Sequence, residues 1–326
     1  MLDVPINRIK NVRTVTEITV KRSMSPASIS LEALILFVIL TMALSLTSAM
    51  KRTVLVTGAN KGIGYEIARQ IGAEKDTLCI LGCRNTELGQ AALSKLQNQG
   101  CNVALVKIDL KDVDSIQAAA KEIQDKYGTC DVLINNAAVC FNDPTLYGKV
   151  PHTPFDKQAD ITVQTNFFGT LALTRAMLPL LEKSSSPRII NIASSAGRLS
   201  ILPSEKRRAE FSSKDLQMDQ LQGYMQEFVS DAQDGTHAAK GWPNTGYGVA
   251  KVGVIAMTKV FSREHPKIMV NSVDPGYCAT DQNNNQGVIP AERGACTPFL
   301  LATIPDDQFF SGLHWYEEQT IDWLYQ

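Results

Sequence analysis

A tyrosine and a lysine stand four positions apart in the C-terminal half of the chain, at Tyr247 and Lys251. On a helix this spacing puts a phenol and an ammonium on one face. A neighbouring cation stabilises a phenolate and lowers a tyrosine pKa that is ordinarily near 10, so the pair could transfer protons. Such a pair also arises by chance from a core residue and a surface residue. The surrounding motifs must therefore decide between the two interpretations.

A glycine-rich turn follows the first apolar run after residue 52 and leads into a helical pattern. Glycines in that place allow a tight turn and let a diphosphate approach the helix N-terminus, where free N–H groups favour anions. The sequence therefore predicts a dinucleotide site. Its predicted cofactor-binding residues are Gly58, Asn60, Lys61, Gly62, Ile63 and Gly64.

The end of the second predicted strand indicates which dinucleotide is used. Proteins that bind NAD usually carry an acidic residue there, but this chain has Arg84. An arginine can bind a 2′-phosphate through charge-assisted hydrogen bonds, and Lys61 adds a second cation. Each cation taken alone could equally be a solvated surface charge. Together they favour NADPH.

The elements that must position these residues alternate between short apolar runs and helical stretches. This pattern is typical of βαβ units, whose parallel strands are covered by helices on both faces. The prediction is an α/β fold with a doubly wound parallel sheet (a Rossmann fold) over residues 51–326. A polar stretch at about residues 199–241 interrupts the alternation and is predicted to be a helical insertion. The predicted strands lie within 53–59, 78–83, 103–110, 132–138, 188–194 and 268–276.

The ordered motifs resemble the classical short-chain dehydrogenase/reductase family, and the resemblance covers about residues 52–326. Within it, the long separation between Ser194 and Tyr247 and the presence of Arg84 are most similar to monomeric NADPH-dependent carbonyl reductases. The motifs that carry the resemblance are TGANKGIG, Asp109-Leu110, Asn135-Asn136-Ala137-Ala138, Asn166, Ser194, Tyr247 with Lys251, and Pro275-Gly276.

The resemblance implies four catalytic residues. Tyr247 would donate a proton to a carbonyl oxygen, and Lys251 would bind the nicotinamide ribose and lower the tyrosine pKa. Ser194 would hydrogen-bond the substrate oxygen, with Ser195 as the nearest alternative. Asn166 would support a water-linked proton path.

The resemblance also implies further cofactor contacts. Asp109 would contact the adenine, Asn135 the adenine ribose, and Thr280 the amide or the phosphates of the cofactor. The other residues assigned to cofactor binding are Leu110, Pro275 and Gly276, in addition to Tyr247 and Lys251.

The chain departs from the carbonyl reductase pattern at a few positions. Leu88 stands where a second arginine can bind the 2′-phosphate, and Asp274 precedes Pro275 where a reactive thiol can occur. The loop 281–290 is unusually polar. These departures concern substrate preference and the strictness of NADPH use rather than the chemistry.

Residues 1–50 contain a hydrophobic segment at 31–49 whose only charge is Glu32. A helix of this length would cover about 28 Å, close to the thickness of a bilayer core. Three interpretations stay open: a membrane anchor, a cleaved signal, or an extension that precedes a true start at Met50. The favoured prediction is that the enzyme is anchored in a membrane with its domain facing the cytosol, or that it is cytoplasmic if Met50 is the start.

Composition narrows the function classes. The net charge of −1 disfavours nucleic-acid binding, and the four histidines lack metal-ligand spacing, so no metal site is predicted. The favoured function is NADPH-dependent reduction of aldehydes, ketones or quinones. The enzyme is predicted to be a single domain that acts as a monomer on a small-molecule carbonyl substrate. The alternatives are a membrane-associated dehydrogenase for a steroid, lipid or other dedicated substrate, and a catalytically silent NADPH-binding regulatory protein.

Overall fold

The computed structural model describes residues 52–141 and 153–324. Their strands are β1 (Arg52–Thr57), β2 (Thr77–Cys83), β3 (Val103–Lys107), β4 (Val132–Asn135), β5 (Arg188–Ile192), β6 (Met269–Asp274), β7 (Cys278–Ala279), β8 (Ile289–Pro290), β9 (His314–Tyr316) and β10 (Gln319–Ile321). The central element is an eight-stranded sheet in the order β10-β9-β6-β5-β4-β1-β2-β3. All neighbouring strands in it are parallel except the edge pair β9 and β10. A separate parallel pair joins β7 to β8.

Helices connect the parallel strands and cover the sheet. The fourth helix passes through a single π-helical turn at Gln164–Gly169 before the fifth begins. Such turns often occur at functional sites. The helices are α1 (Gly62–Gly72), α2 (Thr86–Asn98), α3 (Val113–Tyr127), α4 (Phe155–Val163), α5 (Thr170–Leu181), α6 (Glu205–Ser212), α7 (Met218–Gln233), α8 (Gly246–Glu264), α9 (Ala291–Gly294) and α10 (Cys296–Thr303).

The apolar runs form buried strands because both faces of the sheet are covered. In β1, Leu55 belongs to one hydrophobic cluster, whereas its neighbours Val54 and Val56 belong to the cluster on the other face. Side chains alternate between the two faces of a strand, so a strand covered on both faces needs a continuous apolar run. The predicted doubly wound parallel α/β fold is confirmed.

Helices α6 and α7 occupy the polar stretch that interrupts the alternation. The apolar residues of α7 at helical spacing, Leu221, Met225 and Phe228, are completely buried. Helix α7 packs against α4 and α8. It therefore covers the outer surface of the helix that carries Tyr247.

The predicted hydrophobic segment at 31–49 lies outside the described residues. Within 52–141 and 153–324, no helix combines the length and the apolar character that crossing a bilayer requires.

Candidate active site

The glycine turn joins β1 to α1 and has a backbone that only glycine adopts easily. Gly62 opens α1 with a φ of +57°, in the left-handed region that favours glycine. A Cβ atom at Gly64 would lie 2.4 Å from Asn136 Nδ2 and 2.5 Å from the carbonyl oxygen of Gly58. The turn therefore packs tightly against the loop after β4, and its open side faces a cleft.

The cleft has a volume of about 350 Å³ and runs along the carboxyl ends of the strands. This is the edge at which open α/β sheets bind ligands. It brings together most of the residues assigned to cofactor binding from sequence. Those that line it are Gly58, Asn60, Lys61, Gly62, Ile63, Gly64, Arg84, Asp109, Leu110 and Thr280.

Two cations and one apolar side chain lie at the glycine-turn end of the cleft. Lys61 and Arg84 line it, and Lys61 Nζ lies 2.9 Å from Asp281 Oδ2 in an exposed ion pair. Leu88, which stands where a further cation was possible, also lines the cleft and is exposed. The backbone N–H of Leu88 donates to Asn85 Oδ1, which caps α2. The positive charge available to an anion here therefore comes from Lys61 and Arg84.

The predicted contact between Asn135 and the adenine ribose stays a prediction, and the structure places the Asn135 side chain away from the cleft. Asn135 is buried at the end of β4, and its Nδ2 donates to Asn191 Oδ1 at 2.8 Å and to Thr174 Oγ1 at 3.0 Å. The side chain thus points into the packing between β4, β5 and α5, away from the cleft. Adjacent side chains of a strand point to opposite faces. The cleft is instead lined by Asn136, whose Nδ2 donates to the carbonyl oxygen of Thr57.

Pro275 and Gly276 do not line the cleft either, although both were assigned to cofactor binding. Gly276 has a φ of +79°, and its N–H donates to Asp274 Oδ1 at 3.0 Å. The Pro-Gly pair therefore makes the turn that leads from β6 to the loop carrying Thr280, and Thr280 is the residue that reaches the cleft.

Tyr247 lies in the first turn of α8, where Thr245 caps the helix by accepting a hydrogen bond from the N–H of Gly248. Its phenol hydrogen-bonds with the side chains of Ser194 and Gln282. The predicted lowering of its pKa is not observed. Burial raises the pKa of Tyr247 above its ordinary value, because removing the phenolate from water costs more than these two hydrogen bonds restore.

Lys251 follows one helical turn later and is buried, with an exposed fraction of 3%. Its Nζ donates to the carbonyl oxygen of Ile192 at 2.6 Å and lies 5.5 Å from the centre of the Tyr247 ring. Burial lowers the pKa of Lys251 to about 8. The ammonium is therefore held at the end of β5, next to the phenol, and loses its proton at a mildly alkaline pH.

Ser194 also lies beside this pair, and Asn166 belongs to the π-helical turn that contacts α8. Ser194 hydrogen-bonds with the Tyr247 phenol, whereas the alternative residue, Ser195, is exposed. Asn166 lies in the π-helical turn and is paired with the backbone of Val139, accepting from its N–H and donating to its carbonyl oxygen, each at 2.8 Å. Asn166 thus holds the loop after β4 in place. Its role in a proton path stays a prediction.

Sequence reasoning missed several polar side chains of the cleft, of which Gln282 and Thr165 bear most directly on its chemistry. Gln282 lines the cleft and reaches the Tyr247 phenol. Thr165 also lines it, and its buried hydroxyl has no hydrogen-bond partner among the described residues. Buried hydroxyls are normally paired, so Thr165 fits a site that holds a polar ligand. The available sequence signal for Thr165 was its position directly before Asn166.

The cleft fits a phosphorylated dinucleotide. Its glycine turn leaves no room for a side chain at Gly64, two cations stand at one end, and the lining residue Thr165 has a buried hydroxyl without a partner among the described residues. The predicted catalytic pair adjoins the cleft through Gln282. This arrangement joins a glycine turn suited to anions to a half-buried phenol.

Comparison with known proteins agrees with this geometry. The family model described as short chain dehydrogenase matches residues 52–203. The chain is 35% identical to carbonyl reductase (NADPH) 1 of Mus musculus over 269 residues, which cover 80% of this chain and 94% of that protein. Carbonyl reductase (NADPH) 3 of Homo sapiens is also 35% identical, with the same coverage of 80% and 94%.

Two solved plant structures are similar in fold and sequence. Salutaridine reductase from Papaver somniferum has a TM-score of 0.73 and 28% identity, and the match covers 81% of this chain and 99% of that one. Menthone neomenthol reductase from Mentha piperita has a TM-score of 0.70 and 28% identity, with coverage of 82% and 99%. The chain therefore belongs to the short-chain dehydrogenase/reductase family, and it is an oxidoreductase that acts on C=O and CH–OH groups.

Proposed function

We propose that the protein is an NADPH-dependent carbonyl reductase that converts aldehydes, ketones or quinones into alcohols. The observation that carries the proposal is the Tyr247 phenol, which is hydrogen-bonded to Ser194 and to Gln282, a residue of the cleft lined by Lys61 and Arg84. A half-buried proton donor thus adjoins a cleft that carries two cations. Reduction of a carbonyl by hydride and proton transfer needs this combination.

NADPH is the cofactor of this enzyme. The relatives from mouse and human carry NADPH in their names, and the cleft holds two cations at its glycine-turn end. Lys61 and Arg84 would hold the 2′-phosphate, because guanidinium and ammonium groups make strong charge-assisted hydrogen bonds with phosphate. Thr165 and Thr280 would supply neutral hydrogen bonds along the cleft.

The residues divide the reaction between them. When bound, NADPH supplies the hydride. Tyr247 donates its proton to the substrate oxygen, and its raised pKa keeps the phenol protonated until that moment. Ser194 donates a second hydrogen bond to the same oxygen and stabilises the charge that develops there. Lys251, one turn away, supplies a positive charge that favours release of the phenol proton.

A dedicated ketone is the second candidate substrate. The two similar plant structures have 28% identity to this chain and are named for individual compounds, salutaridine and menthone/neomenthol. A membrane-associated enzyme for a steroid or lipid would use the hydrophobic segment at 31–49 as its tether. A kinetic comparison of long-chain or sterol ketones with small dicarbonyls separates these substrates.

A monomer is the proposed oligomeric state. Helix α7 lies over α4 and α8 and buries Met225 and Phe228 against them. The face that α7 covers is thereby removed from contact with a second subunit. Sedimentation of the full-length chain, with and without detergent, would measure its oligomeric state and show whether residues 31–49 require detergent to stay in solution.

The decisive experiment is a screen of NADPH oxidation by the full-length chain, with NADH in parallel. Menadione, an α-dicarbonyl, an aromatic aldehyde and a sterol ketone would serve as substrates. We expect oxidation with NADPH in preference to NADH, and a kcat about 10²–10⁴-fold lower for the Tyr247→Phe variant. Tight NADPH binding without turnover of any substrate would instead favour a regulatory protein.

A further inference from the structure

Asp274 is a buried carboxylate next to the catalytic residues, to which the proposed reaction gives no role. It is the last residue of β6, directly before the Pro275-Gly276 turn, and its exposed fraction is 6%. Aspartate is rarely buried unless its charge is hydrogen-bonded or paired. The side chain of Asp274 therefore needs an explanation.

The Asp274 carboxylate accepts hydrogen bonds from backbone N–H groups of two different loops. Its Oδ1 accepts a hydrogen bond from the N–H of Gly276 at 3.0 Å, and the carboxylate also accepts one from the N–H of Ser195. Ser195 directly follows Ser194 in the loop after β5, and Gly276 begins the loop that carries Gln282. Ser194 and Gln282 are the two side chains that hydrogen-bond the Tyr247 phenol. Asp274 therefore links the two loops that approach Tyr247.

The charged and titratable groups around Asp274 come from several elements. Lys251 of α8 and Arg198 of the loop after β5 both favour its ionised form, whereas burial opposes it and raises the pKa of Asp274. In return, the negative charge of Asp274 raises the pKa of Tyr247 and of Lys251. Among the described residues, the charge of Asp274 also raises the pKa of Cys278 and of Tyr316.

We propose that Asp274 is a positioning residue, which clamps the Ser194–Ser195 turn to the Pro275–Gly276 turn and places a fixed negative charge beside Tyr247 and Lys251. The inference rests on the proposed function, because its kinetic effect requires that Tyr247 act as the proton donor. Its electrostatic effect does not require turnover. A clamp with this charge keeps Lys251 protonated against the cost of burial, and it orients both partners of the phenol.

The test compares Asp274→Asn and Asp274→Ala with the full-length wild-type chain. Asparagine removes the charge and keeps one oxygen acceptor, whereas alanine removes the charge and both hydrogen bonds. Asp125→Asn is the matched control, because Asp125 is an exposed carboxylate on α3 paired only with Lys121 among the ion pairs of the described chain. Thermal melting curves establish that each variant is folded.

The first readout is the pH profile of kcat/KM for carbonyl reduction. Removing a negative charge lowers the pKa of both Tyr247 and Lys251, and both protonated forms are needed for reduction. We therefore expect the alkaline limb of Asp274→Asn to move about half a pH unit or more toward lower pH. Asp274→Ala should show the same shift and a further fall in kcat from the loss of the clamp. An alkaline limb that stays in place in a folded Asp274→Asn variant would overturn the proposal.

The second readout separates failure of this proposal from failure of the proposed function. Lysine labelled with ¹³C at Cε reports its own protonation by NMR, and the Lys251 signal is assigned from a Lys251→Arg variant. We expect the titration of Lys251 to move to lower pH in Asp274→Asn and to be unchanged in Asp125→Asn. A wild-type chain without reductase activity would refute the function alone, whereas an unchanged Lys251 titration would refute the role of Asp274.

Discussion

Two lysines of the candidate site show how differently its two ends are built. Lys61 lies in the glycine turn with 61% of its side chain exposed and pairs with Asp281 at 2.9 Å. Lys251 has an exposed fraction of 3% and donates to the carbonyl oxygen of Ile192 at 2.6 Å. The ammonium group of a lysine therefore lies in water at the glycine-turn end of the site and in the protein interior at the Tyr247 end.

The physical consequences of the two environments are different. An exposed ion pair contributes about 0–1 kcal/mol and is screened by salt, so Lys61 can exchange Asp281 for a phosphate at little cost. A buried ammonium loses its hydration, and the pKa of Lys251 falls to about 8. The exposed end is thus suited to reversible binding of an anion. The buried end is suited to a proton transfer that depends on pH.

The largest expected effect tests the buried end. Replacing Tyr247 with phenylalanine removes the proton donor and leaves the ring in place. We expect kcat to fall by about 10²–10⁴-fold, because general acid catalysis contributes about that much. NADPH affinity, measured by fluorescence titration, should change little. A variant that retains more than a tenth of wild-type kcat would show that another group supplies the proton.

The next effect tests the exposed end. Replacing Arg84 with glutamine removes one of the two cations that line the cleft. We expect the preference for NADPH over NADH in kcat/KM to fall by about 10- to 100-fold, since hydrogen bonds to charged groups contribute about 1.5–3 kcal/mol. The matched control is Arg175→Gln, an exposed arginine on α5 that contacts Gln222. An unchanged cofactor preference would contradict the assignment of Arg84 to the 2′-phosphate.

A third prediction follows from the pKa of Lys251. Burial lowers this pKa to about 8, so the ammonium is present below that pH and is lost above it. We expect kcat/KM for reduction to fall by up to about tenfold for each pH unit above this value. Stopped-time assays in buffers of constant ionic strength would measure the profile. In Lys251→Arg, whose side chain stays protonated, this alkaline limb should be absent from the remaining activity.

The smallest effect tests the exchange of partners at Lys61. Replacing Asp281 with asparagine removes the carboxylate that competes with an incoming phosphate. We expect NADPH to bind about two- to threefold more tightly, with a smaller change for NADH, because a surface ion pair contributes about 1 kcal/mol or less. The gain should shrink at high salt and be absent in Asp125→Asn. Weaker NADPH binding in Asp281→Asn would instead show that the ion pair helps to hold the cleft in its binding form.

Much of the site was predictable because its signals are local in sequence. A glycine turn after a buried strand and an arginine at the end of the next strand both depend on short spacings, and the structure brings Gly58, Gly62 and Arg84 to one cleft. The spacing of Tyr247 and Lys251 on a helix is local in the same way. The parallel α/β fold followed from the alternation of apolar runs with helical stretches.

Side-chain contacts that depend on partners far away in sequence could not be predicted. Asn135 was assigned to the cofactor, but Asn191 and Thr174, which are far away in sequence, bind its side chain within the sheet. Gln282 lies in a polar loop with no pattern of its own, and its contact with Tyr247 arises only when β6 and α8 pack together.

The sequence by itself predicted the fold class, the residues of the cofactor cleft and a catalytic pair at Tyr247 and Lys251, because periodicity and short motifs encode local geometry. Only the tertiary structure decided the environment of each group. It buried Lys251 and Asp274 and left Lys61 in water, and it turned Asn135 away from the cleft. Burial and hydrogen bonding are set by neighbours that are remote along the chain, and these neighbours determine the pKa values and pairing on which catalysis depends.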